Sequence, residues 1–175
     1  MEQPKIVPIN LRGCTQRSEL HERLRAAFTL SPQADVWRAL ETALCSLTAP
    51  TLVELPLLYD SLSDELDEEL DVLFALLQRC RNDRLNYRVH ITVDLTGCAT
   101  LYELHERIRE AFDFPLWYGA NWNAFCDLLP DPAEPTLVTI KGFRTMPAAL
   151  QEACTPLFEL LQDNKSNTFD YRCIP

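Results

Sequence analysis

The sequence predicts an α/β protein of two tandem units, each with a small three-stranded parallel sheet and about three to four helices. Segments with the two-residue alternation of strands take turns with segments of helical periodicity, which is the order of a parallel sheet. The order then begins again, because residues 103–107 repeat residues 19–23 without a change. We therefore expect a first unit over residues 1–87 and a second over residues 88–175.

The repeat extends well beyond this pentapeptide. Gly13 and Gly97 follow similar apolar segments, and their residue numbers differ by 84. After a slip of one position, Trp122 falls on Trp37. Chance does not produce agreement at so many positions, so the sequence predicts a tandem duplication.

The first unit begins with a strand and two helices. Residues 5–11 are mostly apolar, and Pro8 within them favours an edge strand or a bulge. Residues 18–28 place their apolar side chains on one helical stripe. A second helix starts near Asp35, whose side chain suits an N-cap, and ends before Pro50.

A short strand and a longer helix complete the first unit. Residues 51–55 form the strand, and residues 63–81 carry leucines at helical spacing. The acidic residues that open this helix lie where the helix dipole favours carboxylates. We interpret them as a solvated face and not as a metal site, because no oxygen-ligand loop with a central glycine accompanies them.

The second unit repeats this order. Thr100 and Glu103 form a capping box at its first helix. Residues 136–140 form a later apolar strand. The alternating residues 87–95 should both end the first unit and start the second, so we expect either one long strand divided between two sheets or two closely docked domains.

The most informative stretch, residues 114–129, begins as a loop and ends as a helix. Trp117, Tyr118 and Gly119 form an aromatic, glycine-hinged segment of the kind that is often exposed. Asn121 then supplies a natural N-cap. We expect the loop either to pack locally or to meet a partner.

The helix that follows has two different faces. Its apolar residues fall at i, i+3, i+4 and i+7, namely Trp122, Phe125, Cys126 and Leu129. Asn123 and Asp127 lie one turn apart on the other face, and Pro130 stops the helix. These two side chains are therefore expected to share a solvent-facing patch with Trp117 and Tyr118.

Composition and charge limit the kinds of partner that the chain is expected to bind. Of the 175 residues, 47% are hydrophobic and 24% are charged, and the formal net charge is −10. Such acidity argues against direct binding of nucleic acid or of an anionic membrane, which needs clustered lysine and arginine. It suits a cationic protein partner. The sequence shows neither a membrane-spanning run nor a signal peptide, so we expect a cytoplasmic location.

We expect no enzyme activity, no metal and no cofactor. The seven cysteines are scattered without a Cys-x-x-Cys motif, which favours free thiols over disulfides or zinc. His21 and His105 each precede a glutamate, but arginine stands where a zinc helix needs its second histidine. We interpret both as rings that are half-buried and hydrogen-bonded within the fold. His90 lies in a strand, and the sequence identifies no partner for it.

The loop and helix of the second unit carry a recognisable pattern, aromatic-Tyr-Gly-x-Asn-x-x-Ala-x-x-Asp, which an apolar strand follows. With this pattern residues 89–175 resemble the barstar family, small intracellular inhibitors of ribonucleases. The residues that match are Leu104, His105, Phe114, Pro115, Tyr118, Gly119, Asn121, Ala124, Asp127 and the strand 136–140. In that family the loop and the helix plug a nuclease active site, and the aspartate lies where a substrate phosphate would bind.

The resemblance implies a set of partner-binding residues in this chain. They are Trp117, Tyr118, Gly119, Asn121, Asn123 and Asp127. Asp127 would be the phosphate mimic. Asn123 and Cys126 stand where the family's best-known member has an aspartate and a tryptophan, which leaves the identity of the nuclease open.

The first copy differs at this place. Residues 31–36 lack the Trp-Tyr-Gly sequence, and Thr42 stands at the position of Asp127. We expect the first copy to keep the fold without this binding surface. It would then act as a scaffold, as a second contact surface or as stabilising mass.

The function implied is that of an immunity protein, which inhibits a nuclease toxin, most simply a ribonuclease, by occluding the active site. The alternative is a non-enzymatic adaptor or assembly module that binds a non-nuclease protein through the same loop. A third hypothesis, a small regulatory enzyme, would need a polar pocket that the sequence does not reveal.

Overall fold

A computed structural model describes residues 3–57, 63–129 and 134–175. The strands are β1 (Lys5–Pro8), β2 (Thr51–Leu55), β3 (Leu85–Asp94), β4 (Thr136–Lys141) and β5 (Phe169–Ile174). The helices are α1 (Arg17–Phe28), α2 (Val36–Cys45), α3 (Asp64–Cys80), α4 (Leu101–Ala111), α5 (Trp122–Leu128), α6 (Ala148–Ala153) and α7 (Thr155–Asp163). A single 3₁₀ turn, Phe143–Thr145, follows β4. None of the helices described is long and apolar enough to cross a membrane.

The sheet confirms the predicted α/β class and its parallel strands, and it corrects the predicted number of sheets. The described strands form one five-stranded sheet in the order β1-β2-β3-β4-β5. The pairs β1–β2, β3–β4 and β4–β5 are parallel. Two separate three-stranded sheets are not seen among the described strands. The one long strand that was expected to be divided between two sheets is β3, and it lies within a single sheet between β2 and β4.

The chain divides into two compact units whose boundary falls within β3. Unit 1 comprises Met1–Pro56 and Ser61–Arg88, and unit 2 comprises Leu57–Asp60 and Val89–Pro175. The first four residues of β3 therefore belong to unit 1, and its last six belong to unit 2. Among the described elements, unit 1 holds three helices and unit 2 holds four.

The core of unit 1 is built from alternate residues of β2 and from the leucines of three helices. Thr51, Val53 and Leu55 of β2 are buried. The helices add the buried leucines Leu20, Leu24, Leu40, Leu44, Leu66, Leu73 and Leu77. Their spacing of four and seven residues within each helix is the amphipathic pattern that the sequence predicts. β1 ends at Pro8, three residues earlier than expected, although the amide of Ile9 still donates to Glu54 O at 2.8 Å.

The core of unit 2 has β4 at its centre. Residues 136–140 of β4 are buried without interruption, as expected for a strand in the interior of a parallel sheet. The apolar side chains around it include Val89, Ile91, Val93, Leu104, Ile108, Phe112, Phe125, Leu157, Leu161 and Phe169. His90 of β3 bonds through Nε2 to Thr139 Oγ1 at 2.8 Å, which supplies the partner that the sequence could not identify.

The loop after the first strand of each unit shares a set of hydrogen bonds with its counterpart. Gly13 and Gly97 each have φ of 68°, a left-handed conformation that glycine adopts readily. In each loop one arginine of the following helix donates through Nη1 to two backbone carbonyls. The four bonds are Arg23 to Asn10 O (2.7 Å) and to Arg12 O (2.9 Å), and Arg107 to Asp94 O (2.9 Å) and to Thr96 O (2.8 Å). The repeated residues therefore also make repeated contacts.

Candidate protein-binding site

The loop–helix segment, residues 114–128 of unit 2, rests on a cluster of aromatic rings. The Phe114 ring stacks on Phe112 with centroids 5.2 Å apart, and Phe125 of α5 meets Phe112 edge-on at 5.3 Å. All three rings are buried, and such pairs contribute stability beyond the area they bury. Both ends of the segment are thus anchored in the core of unit 2.

Tyr118 lies within this cluster of aromatic rings and not on the surface, which corrects the expectation that it faces solvent. Only 6% of the residue is exposed, and its ring lies 5.2 Å from that of Phe114. Its hydroxyl bonds to Nδ1 of His105, a residue 1% exposed on α4, at 2.7 Å. Burial lowers the pKa of His105 and raises the pKa of Tyr118, so both groups stay neutral at pH 7. Tyr118 therefore holds the loop in position through its buried ring and its hydrogen bond to His105.

Gly119 and Asn121 form the turn that leads into α5. Asn121 accepts from Ala124 N through Oδ1 at 2.9 Å, as an N-cap does, and donates through Nδ2 to Gly119 O at 2.8 Å. A Cβ added to Gly119 would lie 2.8 Å from that Nδ2 atom. An alanine at position 119 would therefore force the capping side chain of Asn121 to shift, so both residues shape the turn.

Leu116 and Trp117 are the exposed part of the loop. Leu116 is 90% exposed and Trp117 is 72% exposed. Two adjacent large apolar side chains exposed to water make this part of the loop a candidate surface for contact with another molecule. Trp117 was predicted from the sequence, whereas Leu116 was missed, because a single leucine between a proline and a tryptophan gives no periodic signal.

The exposed face of α5 carries Asn123, Cys126 and Asp127. Cys126 was expected on the buried stripe, but the buried residues are Phe125 and Leu128. The helix is only seven residues long, so its buried face is set by these two side chains and not by the longer pattern read from the sequence. Cys126 thereby joins the surface at which Asn123 and Asp127 were predicted.

Asp127 has no internal role that the structure reveals. Neither Asp127 nor Asn123 makes a side-chain hydrogen bond or ion pair with any residue in the described part of the chain. Asp127 also lies in the last turn of α5, where the helix dipole disfavours a carboxylate. A residue that gains nothing from its own fold is a good candidate for a contact with a partner.

Unit 1 presents a different surface at the matching place. Thr42 stands at the position of Asp127, and its hydroxyl donates back to Arg38 O at 2.9 Å. The neighbouring carboxylate, Glu41, is paired with Arg79 at 2.7 Å. Between residues 29 and 45, all of which the structure describes, unit 1 therefore offers neither an exposed aromatic loop nor an unpaired carboxylate on α2.

The two repeated histidines are hydrogen-bonded within the fold, as the sequence predicts. His21 of α1 bonds through Nε2 to Glu69 Oε2 at 2.9 Å, and Glu69 also pairs with Arg17 Nε at 2.7 Å. His105 is fully buried and not half-buried, because Tyr118 and Trp122 cover it. Among the residues described, no group of three or more metal-ligating side chains occurs.

Fold and site together define an α/β protein whose second unit exposes an aromatic loop and a short helix with one unpaired carboxylate among the described residues. Residues 88–173 match the family described as Barstar (barnase inhibitor), which supports the predicted family for the second half of the chain. The family match covers this one region and does not extend to the first half. No curated protein matches the chain.

Proposed function

We propose that this protein inhibits a nuclease toxin, most simply a ribonuclease, and acts as an immunity protein in the cytoplasm. The observation that carries the proposal is the exposed pair Leu116–Trp117 beside α5, whose Asp127 has no partner within the described residues. The match of this half of the chain to a family of ribonuclease inhibitors supports it. Inhibition would be non-enzymatic, by occlusion of the active site.

Each residue of the site has a separate part in this proposal. Asp127 would occupy the place of a substrate phosphate and pair with arginine, lysine or histidine in the nuclease cleft. Trp117 and Leu116 would supply rigid apolar area, and Asn123 would hydrogen-bond at the rim. Tyr118, Gly119 and Asn121 hold the loop in shape and would contribute little contact of their own.

The charge of the chain favours a basic partner. A net charge of −10 gives an electrostatic attraction to a cationic nuclease at long range. Such steering raises the association rate and falls with ionic strength. An adaptor that binds a neutral partner through Trp117 and Leu116 would lack this dependence, so salt titration separates the two functions.

We also infer that the chain arose by tandem duplication of one barstar-like unit. The identical pentapeptide, the matched glycines and the matched arginine bonds at the same offset support this origin. Unit 1 would then be a copy that kept the fold and lost the exposed aromatic loop. In the inhibitor it would serve as a scaffold or as a second contact.

The test is inhibition of the nuclease encoded nearest to this gene, titrated with the wild-type protein and with Asp127→Asn. Truncating one partner of a buried charge pair at an interface costs about 2–5 kcal/mol, or on the order of 30- to 5,000-fold in Kd. Barnase and barstar are among the complexes that define this range.

The matched control is Glu41→Gln, which removes a carboxylate from the equivalent helix of unit 1. We expect it to inhibit within about threefold of wild type, since surface ion pairs contribute about 0–1 kcal/mol. Equal inhibition by Asp127→Asn and the wild type would refute the phosphate-mimic role. Absence of inhibition by the wild type itself, with binding that does not respond to salt, would favour the adaptor.

A further inference from the structure

Two cysteine sulfurs lie close together in unit 1. Cys45 is the last residue of α2 and Cys80 is the last residue of α3, and their Sγ atoms are 3.7 Å apart. The sulfurs of a disulfide lie about 2.05 Å apart. Each cysteine ends its helix, so side-chain rotation with a small adjustment of the helix ends can bring the two sulfurs into bonding distance.

The two thiols differ in accessibility. Cys45 is exposed, whereas Cys80 is buried. Burial, together with the hydrogen bond to Cys45, raises the pKa of Cys80 to about 11. A reagent from solution therefore reaches Cys45 first, and Cys80 is placed to react with whatever forms on Cys45.

We propose that Cys45 and Cys80 are a reversible redox modification site, which closes to an intramolecular disulfide on reaction with a small-molecule disulfide such as oxidised glutathione. The Cys45 thiolate attacks one glutathione sulfur, forms a mixed disulfide and releases one glutathione thiolate, which takes up a proton. Cys80 then loses its proton to solvent and attacks Cys45 Sγ, and the second glutathione leaves as a thiolate, which takes up a proton in turn. Two cysteine thiols are oxidised, and one glutathione disulfide is reduced to two thiols.

The pair is a feature of unit 1 alone. At the matching positions of the second half the sequence has Pro130 and Asn164. The modification is thus separate from the loop–helix segment of unit 2, and it does not depend on the function proposed for that segment. It joins the C-terminal ends of α2 and α3 within one unit.

Closing this bond constrains the unfolded chain. Cys45 and Cys80 are 35 positions apart, and a loop of this size gives substantial stabilisation when it is closed without strain. We expect the disulfide to raise Tm by about 10 °C, and addition of dithiothreitol to reverse the rise.

The experiment treats the full, reduced protein with oxidised glutathione and follows intact mass and non-reducing peptide maps. The wild type should lose two hydrogens through a Cys45–Cys80 cross-link. Cys80→Ser should stop at one glutathionyl adduct on Cys45. Cys45→Ser should show no cross-link and an unmodified Cys80.

The matched control is Cys126→Ser, which removes an exposed thiol from unit 2 and should leave the cross-link and the rise in Tm intact. A wild-type protein that accumulates the same stable Cys45 adduct as Cys80→Ser would overturn the proposal. So would a peptide map that joins either cysteine to a different thiol, or a cross-link that lowers Tm.

Discussion

Replacing Tyr118 with phenylalanine removes one oxygen atom from beneath the loop–helix segment and leaves the aromatic ring in place. The hydroxyl bonds to His105 Nδ1 at 2.7 Å, and His105 is 1% exposed. Without that oxygen, a buried imidazole nitrogen loses its partner. A buried polar atom left unpaired costs about 1–3 kcal/mol. We therefore expect Tyr118→Phe to lower the free energy of unfolding by this amount.

The assay is urea denaturation followed by circular dichroism, with Tyr102→Phe as the matched control. Tyr102 is 71% exposed on α4, so removing its hydroxyl should change stability by less than about 0.5 kcal/mol. The dependence of the free energy on urea should stay the same in both variants, because the buried area hardly changes. If Tyr118→Phe were as stable as Tyr102→Phe, the reasoning about the buried pair would be refuted.

Tyr118→Phe, compared with Trp117→Ala, also shows which of these two residues positions the loop and which contacts the partner. Trp117→Ala removes exposed apolar area that we assign to the partner, so it should weaken binding by about 10-fold or more with little loss of stability. Tyr118→Phe should show the opposite balance, with a large loss of stability and a small change in Kd. A reversed order would mean that Tyr118, and not Trp117, contacts the partner.

Three other predictions concern the frame of the protein. Gly142→Ala should lower Tm, because an added Cβ would lie 2.4 Å from Thr96 Oγ1 and Gly142 has φ of 68°. In thermal melts we expect the free energy of unfolding to fall by an amount on the order of 2 kcal/mol. Burial lowers the pKa of His105, so near pH 6.5 the unfolded chain takes up a proton on this histidine while the folded chain does not. The free energy of unfolding should therefore fall as the pH drops from 6.5 to 5, and His105→Phe should remove this fall. Arg23→Ala and Arg107→Ala should each cost about 1–2 kcal/mol in denaturant titrations, since each arginine donates to two loop carbonyls in the same way. Arg107 also pairs with Glu103, so a clearly smaller loss for Arg107→Ala than for Arg23→Ala would contradict the equivalence of the two loops.

Much of the fold could be predicted because the signals were local. Residues 51–55 were predicted as a strand and form β2 at the same positions, and the helix expected over residues 18–28 differs from α1 by one residue. Thr100 caps α4 through a bond from Glu103 N at 3.1 Å, as the capping box indicates. Alternation, helical spacing and capping residues each act within a few positions, so one sequence is enough to show them.

The number of sheets could not be obtained in the same way. The alternation of residues 87–95 predicts a strand, but pairing on both sides of that strand is a property of the whole sheet. β3 extends from Leu85 to Asp94 and has β2 and β4 as its neighbours. A local pattern that fits the end of one unit and the start of the next is satisfied by one strand as well as by two.

The sequence predicted which segment forms the site, but the structure differs from the prediction at individual residues. Asp127, Asn123 and Trp117 lie on the surface as expected, because polar residues opposite an apolar stripe face water. Tyr118 was expected beside Trp117 on the surface, but its hydroxyl finds a buried partner on α4, thirteen positions away. A tertiary hydrogen bond of this kind overrides what neighbouring residues suggest.

The comparison of the two helices α2 and α5 shows how one frame can carry two surfaces. Each helix is capped by a side chain that accepts from the amide three residues on, Asp35 in unit 1 and Asn121 in unit 2. The frame needs that cap, and both units keep it. At the position further along the helix, Thr42 bonds back to its own helix, whereas the side chain of Asp127 makes no hydrogen bond or ion pair in the described part of the chain. The residue that the fold does not require is the one that differs, which is why we propose a contact with the partner for Asp127 and a structural role for the cap.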